Sequence, residues 1–167
     1  MRIERIVITG GGLAGLRTAA ELRAREYAGP ITMVGAEPHP PYDRPPLSKK
    51  LMFGEVDSTS MADDAAALDL DLRLGETATG LDDGLLRTDR GEIPFSRLVI
   101  TTGAAPIRLP VPGPQHVLRT IDDALAIRAA LHPGTRLAIV GAGWIGAELA
   151  TVAAARGRAA GSGPPRS

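Results

Sequence analysis

Short apolar runs alternate with segments of helical period at the start of the chain. The run IVI within Ile3–Thr9 and the run ITMVG at 31–35 are typical of buried parallel strands. Between them, from Leu13 to about Glu26, apolar residues recur at helical spacing, and Gly29–Pro30 ends the helix. The pattern therefore predicts a βαβ unit at the beginning of the chain.

The middle of the chain predicts a loop and then short strands. Residues 40–60 have little periodicity, which indicates a structured loop with a short helix near Leu47–Leu51, and residues 61–71 begin as a helix. Residues 85–103 predict two strands about a turn at Asp89–Gly91, followed by a buried strand, LVIT. The proline-rich stretch at 106–115 is a plausible domain boundary.

A second strand–helix unit is predicted near the carboxyl end. Thr120 is a predicted helix N-cap with Asp122 and Asp123 in the first turn, and this helix ends at His132–Pro133–Gly134. RLAIV at 136–140 reads as a buried strand, and a helix follows from about Trp144 to Arg156. The remaining residues, GRAAGSGPPRS, predict an unstructured tail.

Composition narrows the possible functions. Hydrophobic residues make up 44% of the 167, and nineteen basic residues balance nineteen acidic ones, so no overall field indicates nucleic acid or an anionic membrane as a partner. No run approaches the roughly 20 apolar residues of a membrane span, and the amino terminus reads as a strand and not as a signal peptide. A cytoplasmic protein is expected. No cysteine is present, which removes thiolate metal sites and any redox cysteine pair, and no metal site is predicted.

One motif occurs twice, each time between a predicted strand and a predicted helix. The G-x-G-x-x-G glycines are Gly10, Gly12 and Gly15 in the first copy and Gly141, Gly143 and Gly146 in the second. The first glycine permits a tight turn, the second lets a pyrophosphate approach the backbone, and the third lets helix and strand pack closely. The helix that follows directs free N–H groups and partial positive charge at the phosphates. The repeat predicts two dinucleotide sites; a glycine-rich turn without a ligand is the alternative.

The first copy is followed by a candidate ribose-binding acid. Glu37 lies just past the second strand, 22 residues after Gly15, close to the spacing of about 20 residues that is typical of such a carboxylate. The alternative is an ordinary surface glutamate. The second copy has no equivalent acid before the chain ends.

These motifs together resemble the FAD-dependent, NAD(P)H-linked ferredoxin reductases of bacterial oxygenase and cytochrome P450 systems. The resemblance runs from residue 1 to about 158 and rests on GGGLAGLRTAAEL, MVGAEPHPPYDRPPLSK, LVITTGAAPIRLP, LRTIDDALAIRAAL and AIVGAGWIGAELA. It implies an α/β fold with a FAD-binding Rossmann-like domain of the glutathione-reductase type at 1–115. The start of a second Rossmann-like, NAD(P)-binding domain would occupy 116–158, and an unstructured tail 159–167.

The resemblance also implies which residues bind the cofactors. FAD would contact the first glycine turn, the ribose-binding acid, a backbone position by the adenine, the TTG segment and two arginines: Gly10, Gly12, Leu13, Ala14, Gly15, Glu37, Arg44, Ala78, Thr102, Gly103 and Arg119. NAD(P)H would contact the second turn and its helix through Gly141, Gly143, Ile145, Gly146 and Glu148. Thr101 replaces the alanine that is usual in the family's ATG motif.

The stretch PYDRPPLSKK at 41–50 carries the predicted catalytic residue. The resemblance implies that this loop lies against the flavin and that Lys49 approaches the isoalloxazine ring, where a cation would stabilise negative charge on the reduced flavin. Prolines restrict the loop beforehand and so lower the ordering cost of binding. The alternative is a rigid surface turn with solvated lysines, the expectation for Lys50.

The implied function is electron transfer from NAD(P)H through FAD to a ferredoxin-type iron–sulfur protein. Without cysteines, direct transfer from flavin to acceptor is the mechanism that remains. Family members are considerably longer, so we expect a truncated or frameshifted reductase that binds FAD weakly, turns over little NAD(P)H and aggregates. A catalytically inactive nucleotide-binding fragment, or another two-dinucleotide flavoprotein of the nitrite reductase or NADH dehydrogenase type, is the alternative. The choice between NADH and NADPH stays open.

Overall fold

The structure, a computed structural model, describes residues 4–132 and 134–159. Its strands are β1 (Ile6–Thr9), β2 (Ile31–Gly35), β3 (Asp71–Leu74), β4 (Ala78–Asp82), β5 (Leu85–Thr88), β6 (Gly91–Pro94) and β7 (Arg97–Ile100). Its α-helices are α1 (Leu13–Ala24), α2 (Lys50–Phe53), α3 (Ala62–Ala66), α4 (Ile121–Ala130) and α5 (Trp144–Ala159), with a short 3-10 helix at Pro45–Ser48.

A parallel four-stranded sheet organises the first unit of the protein, residues up to Asp43 together with Ser60–Ala104. The strand order is β3-β2-β1-β7, and each neighbouring pair is parallel. Helix α1 provides the crossover between β1 and β2, as the apolar pattern predicts. Because parallel strands are aligned, the carboxyl ends of β1, β2 and β7 meet at one edge, where loops can form a binding site.

Both faces of β1 and β2 are buried, which explains their uninterrupted apolar runs. Ile6 and Ile8 of β1 pack on one face with Ala19 of α1 and with Ile31 and Met33 of β2. On the other face, Val7 and Val34 pack against Leu86 and Ile93. The latter two residues belong to an antiparallel sheet with the order β4-β5-β6. The predicted strand pair about Asp89–Gly91 is therefore confirmed as β5 and β6. The prediction that the LVIT strand is buried is wrong, because β7 lies at the edge of the sheet and Ile100 is 65% exposed.

The second unit consists of Arg44–Thr59 and the chain from Ala105 onwards. Helices α2, α4 and α5, with the 3-10 helix, form its packed part. Among the described residues, the buried hydrophobic side chains there contain no aromatic ring: Leu47, Leu51, Met52, Ala124, Ile127 and Val152. With aromatic residues at 3% of the sequence, these residues have to fill the interior.

The predicted buried strand at 136–140 is wrong. These residues have no strand in the structure and are exposed, with Val140 at 78% of its full accessibility. A strand exists only when its backbone groups pair with a neighbour, and no strand of the described residues pairs with this segment. The segment therefore exposes apolar side chains and forms no edge of a sheet.

Other predicted boundaries shift by a few residues. Strands β3 and β4 were not predicted, because polar residues break their apolar pattern, and α1 ends at Ala24, ahead of the expected Glu26. Helix α5 continues to Ala159, inside the stretch predicted as a tail. The rest of that tail, residues 160–167, lies outside the described residues, and so does Pro133 in the predicted end of the preceding helix.

Helix α4 begins with a capping box, as its sequence predicts. The Thr120 hydroxyl accepts a hydrogen bond from the Asp123 N–H, and the Asp123 carboxylate accepts one from the Thr120 N–H at 2.9 Å. These bonds satisfy amide groups that a helix N-terminus otherwise leaves without intrahelical partners.

Replacing Thr120 should weaken this helix start measurably. We expect Thr120→Ala to lower the free energy of unfolding by about 1 kcal/mol, because the cap hydroxyl is lost. Thr120→Ser keeps the hydroxyl and should stay close to the wild type. Urea unfolding of the full chain, followed by circular dichroism, measures both; equal stability of the two variants would contradict the role of the cap.

Candidate functional site

The first glycine turn brings strand β1 and helix α1 so close together that side chains are excluded. Gly10 has φ +120°, a conformation that side chains rarely adopt, and a Cβ there would collide with the Thr101 carbonyl. A Cβ on Gly15 would collide with the Gly10 carbonyl and lie 3.3 Å from the Ile8 Cγ2 atom. The packing role predicted for these two glycines is therefore confirmed.

Neighbouring strands hold the turn in place. The Gly10 N–H donates to the Val34 carbonyl at 2.7 Å, and the Thr101 N–H donates to the Thr9 carbonyl at 2.7 Å. The Thr101 hydroxyl lies 3.1 Å from the Thr9 carbonyl and 3.0 Å from the Gly10 carbonyl, so it donates to the turn itself. Sequence reasoning noted Thr101 only as a replacement for alanine and missed this bond.

The start of α1 has the character of an anion site. Gly12 is the N-cap in an extended conformation, no side chain caps the helix, and its first turn contains no acidic residue. Leu13 and Ala14, in that first turn, are exposed. The N–H groups of the first helical turn, with the partial positive charge of the helix dipole, suit a phosphate group.

Glu37 follows β2 and is held by two interactions. Its carbonyl accepts a hydrogen bond from the Gly75 N–H at 2.9 Å, and its carboxylate Oε2 accepts one from the Tyr42 hydroxyl at 2.5 Å. Sequence reasoning identified Glu37 but gave Tyr42 no role. The only signal for Tyr42 was its place in the PYDRPP stretch.

The remaining residues predicted to bind FAD in the first unit lie at strand ends. Ala78 is the first residue of β4 and is half-buried, and it pairs with Thr88. Thr102 and Gly103 follow β7 and are exposed, and Gly103 has φ +72°. Contacts of these residues with a cofactor stay predictions.

The second glycine turn repeats part of the geometry of the first, although a Cβ on Gly141 would meet no atom within 4 Å. Gly141 has φ +106°, and a Cβ on Gly146 would lie 2.8 Å from the Gly141 carbonyl oxygen and 3.1 Å from the Ile139 Cγ2 atom. Gly15 has the same relation to Gly10 and Ile8. Gly143 and Ile145 lie at the start of α5 and are exposed. Their predicted contacts with NAD(P)H are untested.

Lys49 and Glu148, predicted to serve different cofactors, form an ion pair with each other. The Lys49 ammonium lies 3.0 Å from the Glu148 Oε1 atom, and the Ser48 hydroxyl donates to Oε2 of the same carboxylate. The hydrogen bond from Ser48, followed by that from Lys49, lowers the pKa of Glu148 below its ordinary value of 4.5. The carboxylate is thereby kept ionised beside the ammonium, which is half-exposed.

Arg44 and Arg119, both predicted to reach FAD, are also joined. The Arg44 Nη1 donates to the Arg119 carbonyl at 2.7 Å, and the Arg119 N–H donates to Asp123 Oδ2 at 3.0 Å. Burial raises the pKa of Asp123, but the hydrogen bonds from the Thr120 and Arg119 N–H groups outweigh it, and the pKa falls below 3.8. The capping box of α4 therefore also fixes the backbone of Arg119.

The described residues show neither a metal site nor a membrane-spanning helix. Residues 4–132 and 134–159 contain no group of three or more His, Asp or Glu residues that could hold a metal ion. No helix in this part of the chain is long and apolar enough to cross a membrane.

A parallel sheet with a tight glycine turn between β1 and α1 defines an α/β protein of the Rossmann-like class. Residues 4–160 match the model of the pyridine nucleotide-disulphide oxidoreductase family, and the chain belongs to that family. It spans about 40% of the length of the curated relatives that it matches.

Named relatives are reductases that serve ferredoxins. The chain is 41% identical to the ferredoxin–NAD(+) reductase component of the p-cumate 2,3-dioxygenase system of Pseudomonas putida, over 92% of this chain and 40% of that protein. It is similar to the crystal structure of Fdr9, with 54% identity and a TM-score of 0.88 over 92% of this chain and 40% of that one. The covalent putidaredoxin reductase–putidaredoxin complex matches with 34% identity, a TM-score of 0.84 and the same coverage.

The bonds around Glu148 predict how its ionisation responds to mutation. We expect Ser48→Ala and Lys49→Met each to raise the pKa of Glu148 towards 4.5, because each removes a group that stabilises the carboxylate. In the wild type, this stabilisation is complete above the unfolded-state pKa and is lost as the pH falls through the lower folded value. Carbon-13 NMR titration of the Glu148 carboxyl measures the change. Lys50→Met removes the neighbouring exposed lysine and should leave the pKa unchanged.

Proposed function

We propose that this chain supplies the FAD-binding turn and the start of the NAD(P)-binding part of a ferredoxin reductase. The reaction would carry electrons from NAD(P)H through FAD to a ferredoxin-type iron–sulfur protein. The observation that carries the proposal is that a Cβ on the third glycine of either turn would lie within 2.8 Å of the first glycine's carbonyl oxygen. The relatives' names add the reaction and the acceptor. A cytoplasmic location stays a prediction.

The residues of the first turn fit the diphosphate of FAD. A Cβ at Gly10 would collide with Thr101, and one at Gly15 would push α1 away from β1, while the N-terminus of α1 carries no side-chain cap. Peptide N–H groups can therefore reach phosphate oxygens directly. Glu37, past the neighbouring strand, provides an acceptor for ribose hydroxyl groups.

Bound FAD would supply the redox chemistry, accepting a hydride from the nicotinamide and releasing single electrons to the acceptor. The protein's part is electrostatic. Lys49 would provide positive charge for the flavin ring, which stabilises the reduced form. Glu148 would hold the Lys49 ammonium in one orientation, and Ser48 would hold Glu148. The sequence contains no cysteine, so this chain would contribute no thiol to these steps.

The two glycine turns predict separable binding defects. We expect Gly12→Val to abolish FAD binding and to leave NADH binding intact, because a branched side chain blocks the approach of the pyrophosphate to the backbone. Gly143→Val should do the reverse, so each variant is the control for the other. Flavin fluorescence titration and calorimetry with NADH measure the two affinities in the full chain. FAD binding that is unchanged in Gly12→Val would contradict the assignment of the first turn.

Replacing Lys49 should slow the reduction of the flavin. We expect Lys49→Met to slow anaerobic reduction of bound FAD by NADH about 10- to 100-fold, since loss of one charge–charge stabilisation is worth roughly 1.4 to 3 kcal/mol. Lys50→Met is the matched control and should react like the wild type. Stopped-flow absorbance of the flavin measures the rate. Equal rates for Lys49→Met and the wild type would remove Lys49 from the mechanism.

A further inference from the structure

The hydrogen bond between Tyr42 and Glu37 is not needed by any step proposed so far. The Tyr42 side chain is buried, with 5% of its accessibility remaining, and its hydroxyl donates to the Glu37 Oε2 at 2.5 Å. A phenol hydrogen bond to an ionised carboxylate is among the stronger types in proteins. This bond acts directly on the carboxylate that the proposed function assigns to ribose.

The backbone around Tyr42 fixes where its hydroxyl can reach. A single antiparallel bridge joins Tyr42 to Ser60, and the Met61 N–H donates to the Pro41 carbonyl at 2.7 Å. The ring of His39 lies edge-on to that of Tyr42, with the ring centres 6.5 Å apart. A buried ring with these neighbours has one available orientation, so the hydroxyl is a fixed donor.

Backbone hydrogen bonds also hold Glu37, so its side-chain rotamer is the main conformation that can vary. The Gly75 N–H donates to the Glu37 carbonyl, and the Glu76 N–H donates to the Gly35 carbonyl at 3.0 Å. These bonds tie the residues after β2 to the residues after β3. The hydrogen bond from Tyr42 then acts on the remaining variable, the rotamer of the Glu37 carboxylate.

We propose that Tyr42 is a positioning residue that holds the Glu37 carboxylate ready to accept the ribose hydroxyl groups of the adenosine part of FAD. The inference rests on the proposed function, because it needs FAD at the first glycine turn. An ionised carboxylate can accept about four hydrogen bonds, so accepting one from Tyr42 is compatible with binding ribose. Orienting the side chain before the ligand arrives reduces the ordering cost of binding.

The test compares two competitors that differ only in the ribose hydroxyl groups. ADP and 2′,3′-dideoxy-ADP each displace FAD from the full-length chain, and flavin fluorescence reports the displacement. We expect Tyr42→Phe to lower the affinity for ADP about 3- to 10-fold, the usual effect of losing one hydrogen bond. The same variant should leave the dideoxy compound unchanged, because that compound has no hydroxyl group for Glu37 to bind.

A matched control uses the other tyrosine of the sequence. The Tyr27 hydroxyl donates to the Glu4 carbonyl, so Tyr27→Phe removes a phenol hydroxyl away from Glu37 and should affect neither competitor. Combining Tyr42→Phe with Glu37→Ala should add no further loss of ADP affinity, because Tyr42 acts only through that carboxylate.

The outcomes separate this inference from the proposed function. If Tyr42→Phe lowers the affinities for ADP and for the dideoxy compound equally, Tyr42 has a general structural role and the inference is wrong. If it lowers neither, the inference is also wrong, while FAD binding by the wild type still supports the proposed function. If the wild-type chain does not bind FAD, or if Gly12→Val leaves FAD binding unchanged, the proposed function fails and the inference fails with it.

Discussion

The close contact of backbone with backbone at the first glycine turn is the constraint on which the rest of the structure depends. Gly10 and Gly15 leave no room for a Cβ beside the Thr101 carbonyl and the Gly10 carbonyl, and so α1 packs directly on β1. That packing buries Ile8 and Ala19 in one core. It also places the uncapped start of α1 at the edge where β1, β2 and β7 end. The packing of α1 on β1 and the phosphate site that we propose are thus consequences of the same missing side chains.

The loop at 41–50 serves both compact units through different residues. Its first part contributes Tyr42, which bonds Glu37, and its later part contributes Arg44 and Lys49, which bond Arg119 and Glu148. Pro41, Pro45 and Pro46 limit the conformations of this segment, whose residues bond to several partners. In each case the loop residue bonds to a residue that the resemblance assigns to a cofactor. The high proline content is therefore explained by these bonds, which a simple surface turn would not make.

Sequence reasoning succeeded where the physical cause is local and failed where it depends on distant partners. The glycine turns, the helix that follows each and the cap at Thr120 all follow from neighbouring residues, and the structure contains them. Strand β3 could not be predicted, because its polar residues obscure the pattern and its pairing with β2 supplies the stability. The bond from Tyr42 to Glu37 and the ion pair of Lys49 with Glu148 were missed for a related reason, since side-chain partners depend on the folded backbone.

The second glycine turn separates these two causes within one segment. Residues 136–140 form no strand, yet Gly141 keeps a positive φ and Gly146 keeps its close approach to the Gly141 carbonyl and to Ile139. A strand requires hydrogen bonds to a neighbouring strand, whereas the turn requires only that two positions lack a Cβ and that a helix begins after them. The geometry that suits a phosphate is therefore encoded in about six consecutive residues. Burial of Ile139 and Val140 would instead require a neighbouring strand, which is why the turn and its helix were predicted correctly and the strand before them was not.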